Sequence, residues 1–115
     1  MTEKIVVFSN CGSEEEARRI ARSLVEARVA ACVNIVPGIQ SIYQWNGAVQ
    51  DDSEWMLVIK STRSLFDQLS AELRKIHSYQ VPEVLAIPVV AGSQDYLDWL
   101  DRETAGNDTV KKNAT

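Results

Sequence analysis

The dipeptide Asn46-Gly47 stands between two strand-like runs, residues 39–45 and 48–61. Asn and Gly both tolerate the positive φ that a two-residue hairpin turn demands, so this pair is the strongest short-range hairpin signal a sequence offers. The second run is the constraint. From residue 48 to 60 it extends about 43 Å at roughly 3.3 Å per residue. A compact domain of 115 residues has a radius of gyration near 13 Å, hence a diameter of around 35 Å. The hairpin must bend sharply or project beyond its own domain. It also carries Tyr43, Trp45 and Trp55, aromatics that are poorly placed in water. A neighbouring subunit resolves both problems, so a homo-oligomer is expected, with these three residues at its interface.

The rest of the chain supplies the body. Ile5-Val6-Val7-Phe8 is a continuous apolar run, the mark of a central strand. Ser13 followed by Glu16 forms a capping box, and an acidic first turn suits the helix dipole. Ala17, Ile20, Ala21, Leu24 and Val25 then recur at helical spacing, with Arg18, Arg19 and Arg22 on the wet face. Residues 30–36 read as a second strand that stops at Pro37-Gly38. Ser64 is expected to cap a second helix with Leu65, Phe66, Leu69, Leu73 and Ile76 on one face; residues 84–90 form the last strand, and Gly92-Ser93 opens a short helix holding Tyr96, Leu97, Trp99 and Leu100. The fold class is therefore α+β, a ferredoxin-like βαββαβ sandwich with antiparallel sheet order 4-1-3-2, a long protruding hairpin and an extra C-terminal helix. Residues 1–103 make one domain and 104–115 a flexible tail. Both helices of such a sandwich lie on one face of the sheet. Strands one and four are nonetheless apolar at nearly every position, so something besides one short helix must cover the other face.

Charge and cysteine content narrow the partners. Twelve Lys and Arg against 16 Asp and Glu give a net charge of −4, which gains nothing from a phosphate backbone, so nucleic acid is not expected as a partner. No stretch approaches the ~18 apolar residues of a membrane span, and the four-residue apolar run at the N-terminus is too short for a signal peptide. The expectation is a cytoplasmic protein with no membrane partner. Neither Cys11 nor Cys32 belongs to a C-x-x-C pair.

The antiparallel pairing of strands one and four brings Cys11 to the same sheet edge as His77-Ser78-Tyr79-Gln80-Val81-Pro82-Glu83, with Asp51, Asp52 and Glu54 nearby. Cys32 falls at the opposite edge, too far for a disulfide. One edge thus gathers a thiol, the only imidazole and several carboxylates, the ligand types that hold a divalent transition metal, copper foremost. Two readings stand side by side. His77, Cys11 and Glu83 form an open site for Cu(II) or another divalent cation, completed by another subunit; or a surface histidine and a loop cysteine never meet. No cofactor is required by any motif. There is no P-loop, no G-x-G-x-x-G and no G-x-S-x-G, and Cys11 with His77 lacks an orienting partner, so no enzyme is expected. Lys60, the one cation in an apolar strand, is expected to pair with a carboxylate across the sheet or an interface.

Five stretches in combination carry a family likeness: A-R-R-I-A-R-S-L-V-E-A-R-V-A-A-C-V-N-I-V-P-G-I (residues 17–39), S-I-Y-Q-W-N-G (41–47), E-W-M-L-V-I-K (54–60), H-S-Y-Q-V-P-E (77–83) and Y-L-D-W-L (96–100). Across residues 4 to 102 the chain resembles the CutA family of divalent-cation tolerance proteins. The resemblance implies a ferredoxin-like protomer in a homotrimer related to the PII-type signalling proteins, with hairpins reaching onto adjacent subunits. It implies an association with copper and other divalent cations, and no catalytic activity. It places Tyr43, Trp45, Glu54, Trp55, Lys60, Tyr79 and Trp99 at subunit contacts or clefts. Of the copper ligands in some members, a histidine position matches His77, whereas the cysteine position falls on Ser9, two residues before Cys11, and Ile76 and Ser78 flank His77. The alternative function is a PII-like signalling module that takes a small metabolite or nucleotide at inter-subunit clefts.

Overall fold

The computed structural model describes residues 1–114, with side chains described through Thr104. The expected flexible tail at 104–115 therefore lies, apart from Thr104, outside the described side chains. The elements run β1 (Lys4–Cys11), α1 (Glu14–Glu26), β2 (Cys32–Trp45), β3 (Ala48–Thr62), α2 (Phe66–Ile76), β4 (Leu85–Pro88) and α3 (Gln94–Ala114). The sheet order is β2-β3-β1-β4, all pairs antiparallel. This is the expected 4-1-3-2 order read from the other edge.

Alternation along the central strands sorts their residues between two faces. On one face Ile5, Val7 and Cys11 of β1 and Leu57 and Ile59 of β3 pack against Ala17, Ile20 and Leu24 of α1 and Leu69 and Leu73 of α2, all nearly free of solvent. On the other face lie Val6, Phe8 and Asn10 with Met56, Val58 and Lys60. There α3 touches β3, and Lys4 Nζ reaches Asp101 at 2.5 Å. Coverage is partial, since Leu85 and Ile87 of β4 stay 61% and 48% exposed.

The hairpin turn forms as its residues dictate, with φ of 52° at Asn46 and 80° at Gly47 and with Trp45 opposite Ala48. Pro37-Gly38 does not end a strand, contrary to expectation. β2 runs through it with a shift of register between Val36 and Ile39, and Gly38 takes a φ of 75°. An edge strand tolerates this irregularity because the missing proline N–H faces no neighbour. Beyond it the hairpin leaves the body, and every residue from 42 to 49 is exposed. The longest dimension of the molecule is 52 Å.

Three boundaries differ from the sequence reading, the first being α3, which runs 21 residues to Ala114 where a short helix was expected. Ser64 caps nothing: it lies inside a 3-10 turn, Arg63–Leu65, and α2 begins at Phe66 without a side-chain cap. β4 is four residues, Leu85–Pro88, rather than seven, although Val89 still exchanges backbone bonds with the start of β1, its N–H donating to Lys4 O at 3.0 Å and its carbonyl accepting from Thr2 N at 3.1 Å. Ser13, by contrast, caps α1 as expected, its hydroxyl accepting from Glu16 N at 3.1 Å.

Candidate functional site

The site forms where the end of β1, the middle of β3 and the segment 77–83 converge. α2 ends at Ile76, and its last backbone bond, His77 N to Leu73 O, turns the chain toward β1. The imidazole then fastens the segment. The Tyr79 N–H donates to His77 Nδ1 at 3.0 Å, and His77 Nε2 stands 2.8 Å from the Asn10 carbonyl. An amide must donate and a carbonyl must accept, so the ring is the neutral Nε2–H tautomer with both nitrogens engaged. Its side chain is wholly buried. Glu16, expected to close a capping box, instead reaches from α1 to accept the Ser78 N–H at 2.7 Å. Burial pushes the Glu16 carboxyl up, but the hydrogen bonds from Ser78 and the Gly12 N–H outweigh it and hold the group below its ordinary value.

The expected metal ligands do not come together. Cys11 faces the helix-covered side, its Sγ 3.8 Å from both Ser13 O and Trp55 O. Asn10, one residue before, points to the opposite face, where its Nδ2 lies 3.4 Å from Glu83 Oε1. Neighbouring strand residues point opposite ways, so Cys11 and Glu83 are separated by the sheet itself. Burial, with the Glu16 charge second, pushes the Cys11 thiol up to about 11, away from the thiolate a metal needs. No group of three or more His, Cys, Asp or Glu suited to a metal occurs among the described residues. The trio of His77, Cys11 and Glu83 does not fit a bound cation in this arrangement. Cys11 and Cys32 are both free thiols.

The residues expected at interfaces divide. Tyr43 and Trp45 are 40% and 49% exposed on the hairpin, and Tyr43 Oη donates to Asp52 at 2.5 Å. Trp55 packs against the protomer's own core. Lys60 donates to Asn34 Oδ1 across the sheet, an amide where a carboxylate was expected. Trp99 lies against Tyr96 on α3, with ring centroids 5.4 Å apart.

Glu54 is 5% exposed, yet its one hydrogen bond is from Tyr79 Oη at 2.6 Å, and it has no ion-pair partner among the described residues. Tyr79 is pushed up by burial and then by this carboxylate. Around the pair opens a cleft of about 600 Å³, lined by Asn10, Ser41, Ile42, Tyr43, Trp45, Glu54, Tyr79, Gln80, Val81 and Glu83. The cleft is what a motif search misses. Its residues come from four separate stretches, and Ser41, Ile42, Gln80 and Val81 carry no chemical signature in sequence. Glu16 had a signal, but a helix-start pattern explained it locally and hid its contact 62 residues away.

Comparison with known proteins places the fold in a family. Residues 5–103 match the family model described as CutA1 divalent ion tolerance protein. The chain is 50% identical over 101 residues to the divalent-cation tolerance protein CutA of Thermus thermophilus, covering 88% of this chain and 97% of that one. It is 47% identical over 100 residues to the chloroplastic protein CutA of Arabidopsis thaliana, which covers 87% of this chain but only 55% of the plant protein. The solved Thermus thermophilus structure superposes with a TM-score of 0.82 at 49% identity, over 84% of this chain and 94% of that one. The chain belongs to the CutA1 divalent ion tolerance family.

Proposed function

We propose that this protein acts as a cytoplasmic, non-catalytic, homotrimeric binding protein in the response to divalent cations. The observation that carries the assembly is unpartnered apolar surface in two places. Ile42, Tyr43, Trp45 and Val49 stand exposed on a hairpin that leaves the body, and Leu85 and Ile87 stand exposed on the edge strand β4. Surface of this kind on two separate elements suits a closed ring in which each hairpin lies across its neighbour. The family supports the cation response. Burial of the Cys11 thiol, which pushes it up to about 11, disfavours the thiolate that nucleophilic catalysis needs. Direct Cu(II) binding at His77 requires the imidazole to give up the Asn10 carbonyl or the Tyr79 amide first. No helix among the described residues is long and apolar enough to cross a membrane.

Light scattering at micromolar protomer tests the assembly. The expected mass is three times the 12.8 kDa chain, and Trp45→Asp lowers it; a wild-type monomer overturns the reading. One observation favours the second reading, a PII-like module that holds a small molecule between subunits. The 600 Å³ cleft beside the hairpin has the size of an organic ligand rather than of an ion.

A further inference from the structure

The lining of the cleft selects its ligand by charge. Two carboxylates border it, Glu54 and Glu83, and no Lys, Arg or His is among its lining residues. A phosphate or carboxylate ligand meets two carboxylates and no cationic side chain there. Glu54 is the stronger of the two features: a carboxylate 5% exposed, satisfied by one phenol and by no cation among the described residues. A buried carboxylate keeps lone pairs for several donors, and one hydrogen bond leaves most of its desolvation uncompensated. The phenols nearby add acceptors and π faces rather than donors. Tyr79 has committed its hydroxyl hydrogen to Glu54, and Tyr43 has committed its own to Asp52. Tyr43, Trp45 and Tyr79 thus border the cleft with rings whose faces attract positive charge.

We propose that this cleft binds a small organic cation, an ammonium head on a short apolar or aromatic body, with the head against Glu54 and Glu83 and the body against Tyr43, Trp45 and Tyr79. The inference rests on the small-molecule reading of the cleft given above and supplies its ligand class. Aromatic faces stabilise an ammonium more when it is desolvated, and the Glu54 carboxylate is already out of water. The two components act together, the carboxylates selecting charge and the rings selecting an organic body over a hydrated metal ion.

The test is calorimetric titration of the purified oligomer, in buffer containing EDTA, with three molecules of one shape: phenylethylamine, phenylethanol and phenylpropionate. The amine is expected to bind, with the neutral and anionic molecules at least tenfold weaker. Glu54→Gln keeps the acceptor for Tyr79 and removes the charge; a lost charge-assisted bond weakens the amine about tenfold or more. Glu83→Gln, at an exposed position that the fold does not depend on, weakens it by a smaller factor. No heat from the amine at millimolar concentration overturns the inference, including the case in which a neighbouring subunit's own side chain fills the cleft. Equal binding of the alcohol, or amine binding unchanged in both variants, overturns it as well. Light scattering on the same sample separates the two readings. A trimer without amine binding refutes the ligand class alone, and a monomer refutes the assembly alone.

Discussion

Removing the imidazole of His77 distinguishes a structural fastening from a metal ligand. In the folded chain the ring satisfies two backbone groups, the Asn10 carbonyl at 2.8 Å and the Tyr79 N–H at 3.0 Å, in a position with no solvent exposure of the side chain. His77→Ala leaves both unpaired in a space too enclosed for easy rehydration. Each such group costs about 1–3 kcal/mol, so the expected loss is about 2–6 kcal/mol before any gain from relaxation. At roughly 4 °C per kcal/mol for a domain of this size, the melting temperature falls by about 8–24 °C. His77→Gln sets an amide nitrogen near the place of Nε2, keeps the bond to Asn10 and recovers about half of the loss. The assay is urea unfolding followed by tryptophan fluorescence, at fixed protomer concentration because association contributes to stability. His77→Ala within about 0.5 kcal/mol of wild type refutes the reasoning, since exposed residues away from special contacts behave that way. Selective stabilisation of wild type by Cu(II), absent in His77→Ala, also refutes it. That result requires a nitrogen lone pair that the folded ring does not offer.

Two further outcomes follow from the same cluster. The Glu16 carboxyl is held below its ordinary 4.5, so its contribution to stability is full above that value and is lost as pH falls through the depressed folded value; Glu16→Gln is expected to destabilise at pH 7, by an amount that shrinks below pH 4.5, as read by unfolding at a series of pH values. The Cys11 thiol, buried and raised to about 11, is expected to resist a thiol reagent at pH 8 while half-buried Cys32 reacts, with both titrating in denaturant.

Assembly and ligand class are tested separately, as described above. What connects them is the hairpin. It presents Tyr43 and Trp45 both as exposed apolar surface and as one wall of the cleft. A ligand held there lies where subunits meet in the proposed trimer, so occupancy and association are linked by mass action.

Local signals determined much of this protein. Asn46-Gly47 fixed a two-residue turn because few residue pairs accept positive φ twice, and the apolar run of β1 fixed a central strand. Ser13 fixed the start of α1 because its hydroxyl reaches an amide three residues away. The alternation of apolar types then left one topology that buries both helices. Where competing local signals overlapped, sequence was a poorer guide. Pro37-Gly38 read as a stop, yet pairing with β3 carried β2 through it, and Ser64 read as a cap, yet the turn out of β3 absorbed it. The site lay further still from the sequence. Shared edge position brought His77, Cys11 and Glu83 into one neighbourhood, but which residues meet depends on which face each side chain takes. Strand alternation sent Cys11 to the helices and Asn10 to the open side, and burial committed both nitrogens of His77 to the backbone. Likewise, nothing along the chain marks Glu54 as a carboxylate without a cation. That property exists only once Tyr79, 25 residues away, folds over it and takes away its water.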